Sequence, residues 1–408
     1  MLKDKTIVLG VTGGIAAYKA AYLASALRKQ HADVHVIMTE HAREFISPLT
    51  FETLTNNKCV IDMFERKATY DVEHISLAKA ADLIMVAPAT ANFIAKAANG
   101  IADDMLTTVV LAAKCPKLVS PAMNTAMYTN QATQDNLSKL TDYGWKIIEP
   151  ASGLLACGDE GKGKMPEPDE LLEQILLAAA CDKDMDGMKV LVTAGPTQES
   201  IDPVRYITNH SSGKMGYAIA RACAMRGAEV TLVSGPTALD APLGVTRVDI
   251  KSAADMHDAV MAHAAESDMI FKAAAVADYT PATTVDHKIK KKDGDMSIPL
   301  TRTTDILADV AGVRNDSQII CGFSMETENL IENSRAKLEK KSLDMICANS
   351  LRTAGAGFRG DTNVVTVITK DSTTELGMLS KFETAQRIID IAMEMHRSRN
   401  ISRLQQKA

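Results

Sequence analysis

One pattern constrains this chain more than any other, and it occurs twice. Short apolar runs at Thr6–Val11, Val34–Met38, Asp82–Ala87, Lys117–Ser120 and Lys146–Ile148 are separated by longer segments with helical periodicity. After a polar segment, Asp182–Gly187, the pattern restarts with Val190–Ala194, Glu229–Val233, Thr246–Ile250, Met269–Ala273, Gln318–Cys321 and Met345–Ala348. Short strands that are mostly apolar are in the main buried on both faces, and helices between them are what covers a parallel sheet. The sequence therefore predicts an α/β protein of two doubly wound, Rossmann-like domains, residues 1–185 and 186–408. Length agrees, since 408 residues exceed what one core of about 250–300 residues supports. The segment Pro150–Pro168, with four glycines and three prolines, is expected to hold no regular element before a helix at Asp169–Cys181.

Composition excludes several classes of function. The net charge of −6 and an aromatic content of 4% provide neither the basic field nor the stacking platforms that nucleic-acid binding needs. No apolar run approaches the roughly 20 residues of a membrane span. The start, MLKDKTIVLG, reads as a strand and not as a signal peptide, and seven scattered cysteines without a C-x-x-C argue for a reducing cytoplasm and against a zinc site.

In the first half, Ile7–Ala21 (IVLGVTGGIAAYKAA) reads as strand, glycine turn, helix. Gly13 and Gly14 allow a tight turn, and the amides that open the next helix can hold an anion. The G-x-G-x-x-G fingerprint is absent. A second strand end, Asp82–Lys96, carries Thr90 and Asn92 where a helix begins, as caps or as ligand donors. His74 follows an acidic stretch, Asn124 lies just beyond a strand, and Cys157 sits in a glycine-flanked loop from which it can deliver a proton.

Taken together, Gly13-Gly14-Ile15, the PATAN run from Pro88, His74, the PAMN run Pro121–Asn124 and Cys157 resemble the homo-oligomeric flavin-containing cysteine decarboxylases. That resemblance implies bound FMN, held by Gly13, Gly14, Ile15, Thr39, Thr90 and Asn92, and decarboxylation of a peptide-like cysteine carboxylate. It makes His74 the base and substrate-positioning residue, Asn124 the holder of the departing carboxylate and Cys157 the proton donor. It also implies a flavin at a subunit interface within trimers. An acylated cysteine has no carbonyl placed to accept electrons as CO₂ leaves, and oxidation of its thiol to a thioaldehyde creates that sink. Tyr128 stands where the family usually has Trp, which predicts a tuned pocket.

In the second half, Ser211, Ser212 and Gly213 precede a helix whose apolar face is expected at Met215, Ala218, Ile219 and Ala222. Small residues at a helix start suit a phosphate, although no P-loop spacing is present. The strand Phe271–Tyr279 (FKAAAVADY) exits at Asp278 into the lysine run Asp286–Asp293. The motifs Ala194–Arg205, Asn209–Gly216, Ala273–Tyr279, Lys288–Lys291, Gly322–Thr327 and Ile346–Asn349 are similar to phosphopantothenate–cysteine ligases. The two halves together resemble the bifunctional coenzyme A biosynthesis family over nearly the whole chain.

This second resemblance implies activation of 4′-phosphopantothenate by CTP with Mg²⁺, then attack by cysteine on the acyl-cytidylate, in ligase halves that pair as dimers. Lys288 would stabilise charge at the α-phosphate, and Asn209 would serve the acyl-intermediate step. Ser212, Gly213, Ala273, Ala274, Asp278, Asp305, Ile306, Phe323, Lys337 and Lys341 would line the nucleotide. Thr303-Thr304-Asp305 replaces the usual Asn-Pro-Asp. No metal ligand is assigned, because Mg²⁺ keeps mostly water and phosphate oxygens.

Two other readings compete. A nicotinamide-dependent oxidoreductase would use Glu40 after the strand Val34–Met38, but lacks the glycine fingerprint. A non-catalytic flavin-binding regulatory protein would be expected to have lost His74, Asn124 or Cys157.

Overall fold

The computed structural model describes residues 1–64, 72–154, 158, 160–290, 296–326, 329–350 and 360–407. The chain divides into two compact units, Met1–Cys181 and Asp182–Ala408.

In the first unit, β1 (Thr6–Val11) leads to α1 (Ala17–Lys29), β2 (Asp33–Met38), α2 (Pro48–Thr55), α3 (Glu73–Ala80), β3 (Leu83–Ala89) and α4 (Ala91–Ala98). Then come α5 (Met105–Ala112), β4 (Lys117–Pro121), α6 (Thr125–Thr129), α7 (Gln131–Asp142), β5 (Lys146–Ile147), β6 (Ala151–Leu154), β7 (Glu160–Lys164) and α8 (Pro168–Ala179). The main sheet has the order β2-β1-β3-β4-β5 and is parallel throughout. Its central strands are buried on both sides, which is why β3 reads as seven consecutive buried residues.

The segment expected to be irregular forms an antiparallel hairpin, β6 with β7. Its glycines serve the hairpin. Gly153 and Gly163 have φ of 150° and 154°, and a side chain on Gly163 would strike the Met123 carbonyl at 2.2 Å. That backbone approach carries a hydrogen bond, Met123 N–H to Gly163 O at 3.1 Å, and holds the hairpin at the end of β4.

The second unit runs β8 (Lys189–Ala194), β9 (Gln198–Ser200), β10 (Tyr206–Thr208), α9 (Lys214–Met225), β11 (Glu229–Ser234), β12 (Val245–Asp249), α10 (Ala253–Ala264) and β13 (Met269–Lys272). It continues with β14 (Tyr279–Pro281), β15 (Leu300–Arg302), α11 (Ile306–Val313), β16 (Ile319–Glu326), α12 (Leu330–Lys340), β17 (Met345–Ser350), β18 (Thr362–Thr369), β19 (Thr373–Ser380) and α13 (Lys381–Lys407). The large sheet has the order β12-β11-β8-β13-β16-β17-β18-β19. Six strands are parallel, as the alternation requires. The last two, β18 and β19, are antiparallel and extend one edge beyond the strands legible in the sequence.

Helix α9 differs in detail from expectation. Gly216, Tyr217, Ile219, Ala220, Ala222 and Cys223 are buried, while Met215 and Ala218 are only half-buried. The reason is Gly216. A Cβ there would lie 2.6 Å from Ala194 Cβ and 2.8 Å from Thr193 O, so the helix rides directly on β8 and turns a wider face inward.

Candidate active sites

In an open α/β sheet the ligand crevice lies beyond the carboxyl ends of the strands, where the strand order reverses. In the first unit that point falls between β1 and β3. Thr12, buried at the end of β1, ties the two strand ends together: its hydroxyl donates to Pro88 O at 2.8 Å and accepts from Thr90 N–H at 2.9 Å. A cavity of about 480 Å³ opens there. Gly13, Gly14, Ile15, Thr90 and Asn124 line it together with Met123, Met127, Leu154, Gly163 and Lys164.

Its lining joins apolar side chains to a helix start without a side-chain cap. Helix α1 has no side-chain cap at its start and no acid in its first turn, so the amides following the Gly13-Gly14 turn face the cavity end of the helix without a built-in anion. Ile15, Met127 and Leu154 are 62%, 50% and 70% exposed, an apolar lining that the single chain leaves open. Lys19, by contrast, is buried and committed: its Nζ donates to Met165 O at 3.0 Å and to Glu167 at 2.7 Å, fastening α1 to the start of α8.

The other expected residues divide. Thr90 both caps α4, accepting from Phe93 N–H at 3.4 Å, and lines the cavity. Asn124 caps α6, accepting from Ala126 N–H at 2.8 Å, and lines it as well. Asn92 lies exposed in the first turn of α4, outside the lining. Thr39 sits at the end of β2 with its N–H on Val11 O at 3.0 Å, beside the glycine turn and behind the cavity wall. His74 is half-buried in the first turn of α3 and is not part of the lining. Cys157 lies outside the described residues. Tyr128 does not line the pocket either. It is 5% exposed in the core, donates to Glu149 at 3.0 Å and has Lys162 Nζ 5.6 Å from its ring centre. Burial and the Glu149 carboxylate push its phenol pKa up.

In the second unit the order reverses between β8 and β13, and two cavities meet at that point. One, of about 420 Å³, is lined by Asn209, Ser212, Gly213, Lys214, Ala273, Ala274 and Phe323. Asn209 reaches across to the loop after β13, donating to Ala275 O at 3.3 Å and Val276 O at 3.1 Å. Gly213, with φ of 74°, precedes α9, which again has no side-chain cap and no acid in its first turn. A side chain at Gly213 would meet Thr237 at 2.8 Å.

The other cavity, of about 500 Å³, is lined by Asp278, Asp305, Ile306, Lys341, Ala274 and Phe323. Ala274 and Phe323 belong to both linings and form the wall between them. Lys341 pairs with Asp305 at 3.3 Å. Thr303, one of the two residues that depart from the family pattern, donates its hydroxyl to Ala277 O at 2.6 Å and its N–H to Asp278 O at 3.0 Å, which fixes the loop that carries Asp278.

Two expected residues stand apart from both linings. Lys288 is exposed on the loop after β14. Lys337 is exposed on α12 one turn before Lys341, which follows the helix's last residue. Sequence reasoning missed three groups that the fold brings in: Thr12 in the first unit, and Lys272 and Arg302 in the second. Thr12 adjoins the glycine turn, a position that could have drawn attention. Nothing about Arg302 in the sequence distinguishes it from a surface cation, whereas Lys272 falls inside Met269–Ala273, a run read as a buried strand.

Two α/β units, each with an anion-ready crevice at its switch point, define the class: a flavoprotein joined to a pantothenate-metabolism domain. Residues 1–179 match the family described as flavoprotein, and residues 185–395 match the DNA/pantothenate metabolism flavoprotein C-terminal domain. The coenzyme A biosynthesis bifunctional protein CoaBC of Bacillus subtilis is 48% identical over 393 residues, 95% of this chain and 97% of that one. The protein of the same name from Vibrio vulnificus is 45% identical over 395 residues, again 95% and 97%. The chain belongs to the family of coenzyme A biosynthesis bifunctional proteins. Among solved structures, the C-terminal domain of CoaBC is 44% identical, with a TM-score of 0.44, covering 52% of this chain and 96% of that one.

Proposed function

We propose that this chain makes 4′-phosphopantetheine in two steps, one in each half. Residues 186–408 activate 4′-phosphopantothenate with CTP and couple it to cysteine. Residues 1–185 decarboxylate the 4′-phosphopantothenoylcysteine so formed. The observation that carries the reading is the pairing of two switch-point crevices, each opening on an uncapped helix start, in a chain similar to CoaBC from end to end.

In the first half, FMN fits the 480 Å³ cavity: the amides after Gly13-Gly14 suit its phosphate, and Ile15, Met127 and Leu154 suit its ring. When bound, the flavin supplies a two-electron acceptor and donor. The chain's own residues do the rest. Asn124 holds the carboxylate by its amide, Cys157 donates the proton that completes the product, and His74 orients the substrate. One chain's lining lacks His74, and Ile15, Tyr18 and Tyr22 leave an apolar face exposed along α1. Both features support an assembly of copies, a trimer by family likeness, in which a neighbour closes the site.

In the second half, a carboxylate must attack a triphosphate, so cations must offset the repulsion. Lys341 and Asp278 in the larger cavity serve the nucleotide, with Mg²⁺ arriving on its phosphates. Lys288, on its exposed loop, closes over the α-phosphate, and Lys337 extends the same cationic rim. Asn209, at the smaller cavity, holds the acyl group for attack by the cysteine amine.

The test is one incubation of the purified protein with 4′-phosphopantothenate, cysteine, CTP and Mg²⁺, following CO₂, CMP and pyrophosphate. All three appear in equal amounts, and Cys157→Ser loses CO₂ alone. Absence of CMP would sink the ligase half, and CO₂ release unchanged by Cys157→Ser would sink the role of that thiol.

A further inference from the structure

Strand β13 ends in a lysine whose charge has no counterpart. Lys272 is 7% exposed, and its Nζ is buried with no hydrogen-bond partner among the described residues. In register it lies between Thr193 of β8 and Gly322 of β16. Side chains two apart on a strand share a face. Lys272 therefore projects with Ile270, a member of the apolar cluster to which α10, α11, α12 and the turn after α12 contribute. Its methylene stem crosses that apolar cluster.

The residue also lines the 500 Å³ cavity, and the charges it feels, Asp305 and Lys341, line the same cavity. An unpaired ammonium is costly to bury, and a protein that retains one at a cavity has a use for it when the cavity is filled. Among the described residues the charges around it are few. Asp305 and Lys341 pair with each other. Arg302, at the end of β15, and Asp278, after β13, complete the set, while the neighbouring strands offer only the uncharged Thr193, Gly322 and Phe323. With one pair self-neutralised, Lys272 and Arg302 outnumber Asp278. The missing counterpart is an anion.

We propose that Lys272 is a phosphate-binding residue of the nucleotide pocket, its ammonium contacting a triphosphate oxygen from the cavity floor; the proposal rests on the nucleotide reading of this cavity. A base carbonyl would satisfy one hydrogen bond but would leave the charge uncompensated, whereas a phosphate supplies both acceptor and charge. In the free protein, burial brings the amine's pKa down to about 7, with Asp305 pulling it up and Lys341 pushing it down. A phosphate in contact favours the charged form. Nucleotide binding above neutral pH therefore carries a proton into the site.

Titration calorimetry of the full chain with CTP and Mg²⁺ at pH 8, in two buffers of different ionisation enthalpy, reads this directly. The wild type takes up roughly one proton per nucleotide. Lys272→Met takes up none and binds about tenfold or more weakly. Lys272→Arg, always charged, keeps affinity without uptake, and carries the test alone should the Met variant not fold. Tripolyphosphate affinity falls in the Met variant in parallel with CTP, and cytidine affinity does not. Unchanged proton uptake and CTP affinity in Lys272→Met, or a selective loss of cytidine binding, would overturn the proposal. A wild type that binds tripolyphosphate but not CTP would overturn the nucleotide reading instead, leaving Lys272 to be judged on the tripolyphosphate arm.

Discussion

Asn124 caps a helix with the same side chain that lines the cavity proposed for the flavin. The two tasks can be separated, because serine caps as well as asparagine but is too short, and lacks the amide N–H, to hold a carboxylate. Asn124→Ser is expected to leave stability within about 0.5 kcal/mol and flavin content unchanged, while CO₂ release falls on the order of 100-fold. Lys272 offers a second residue-scale prediction. A lysine whose pKa is depressed in the folded state binds fewer protons there than when unfolded, so it weakens the fold fully below about pH 7 and progressively less as pH rises toward its ordinary value. Lys272→Met should therefore raise the melting temperature of the second unit at pH 6.5, with the gain shrinking between pH 7 and 10. A gain independent of pH would refute the buried charge. Lys272 falls inside Met269–Ala273, a run read as a buried strand, so its burial was open to notice, but what its ammonium faces was not. Only the fold sets it at a cavity beside Asp305 and Lys341, which lie well further along the chain.

At the scale of elements, both crevices open on a helix start that follows a glycine and has no side-chain cap, reached directly from β1 in the first unit and by way of the β9–β10 hairpin in the second. The first was readable, since Gly13-Gly14 come just after an apolar run, and the second only as small residues, Ser211-Ser212-Gly213, ahead of a helical pattern. The hairpin β6–β7 was not, because its glycines imitate an irregular loop. One of them, Gly163, lets backbone meet backbone at Met123. Gly163→Ala, whose new Cβ would lie 2.2 Å from Met123 O, should push the hairpin off β4 at a cost of about 1–3 kcal/mol. Purified protein would lose visible flavin absorbance, and retention of full absorbance would show that the hairpin does not close the site. The edge strand β19 escaped for a different reason. Most of its residues are exposed, so it lacks the alternation that marks a half-buried strand, and its pairing with β18 comes from a tight turn.

At the scale of the whole molecule, two units with separate cores predict two melting transitions. CTP with Mg²⁺ at about 100 times its dissociation constant should stabilise the second by about 2.7 kcal/mol, moving it several degrees, and leave the flavin-bearing transition in place. A single transition shifted as one would argue for a fused core. The double alternation made this division visible in the chain, whereas the cavities became visible only once strand order put Ala274 and Phe323 between them. That shared wall bears on timing. On the proposed reading, two chambers that share Ala274 and Phe323 would let an activated acyl group be made against one and consumed from the other without diffusing away. Hydrolysis by bulk water would then compete with a local transfer and not with a search. A looser partition at Phe323 would on that reading register first as nucleotide spent without product.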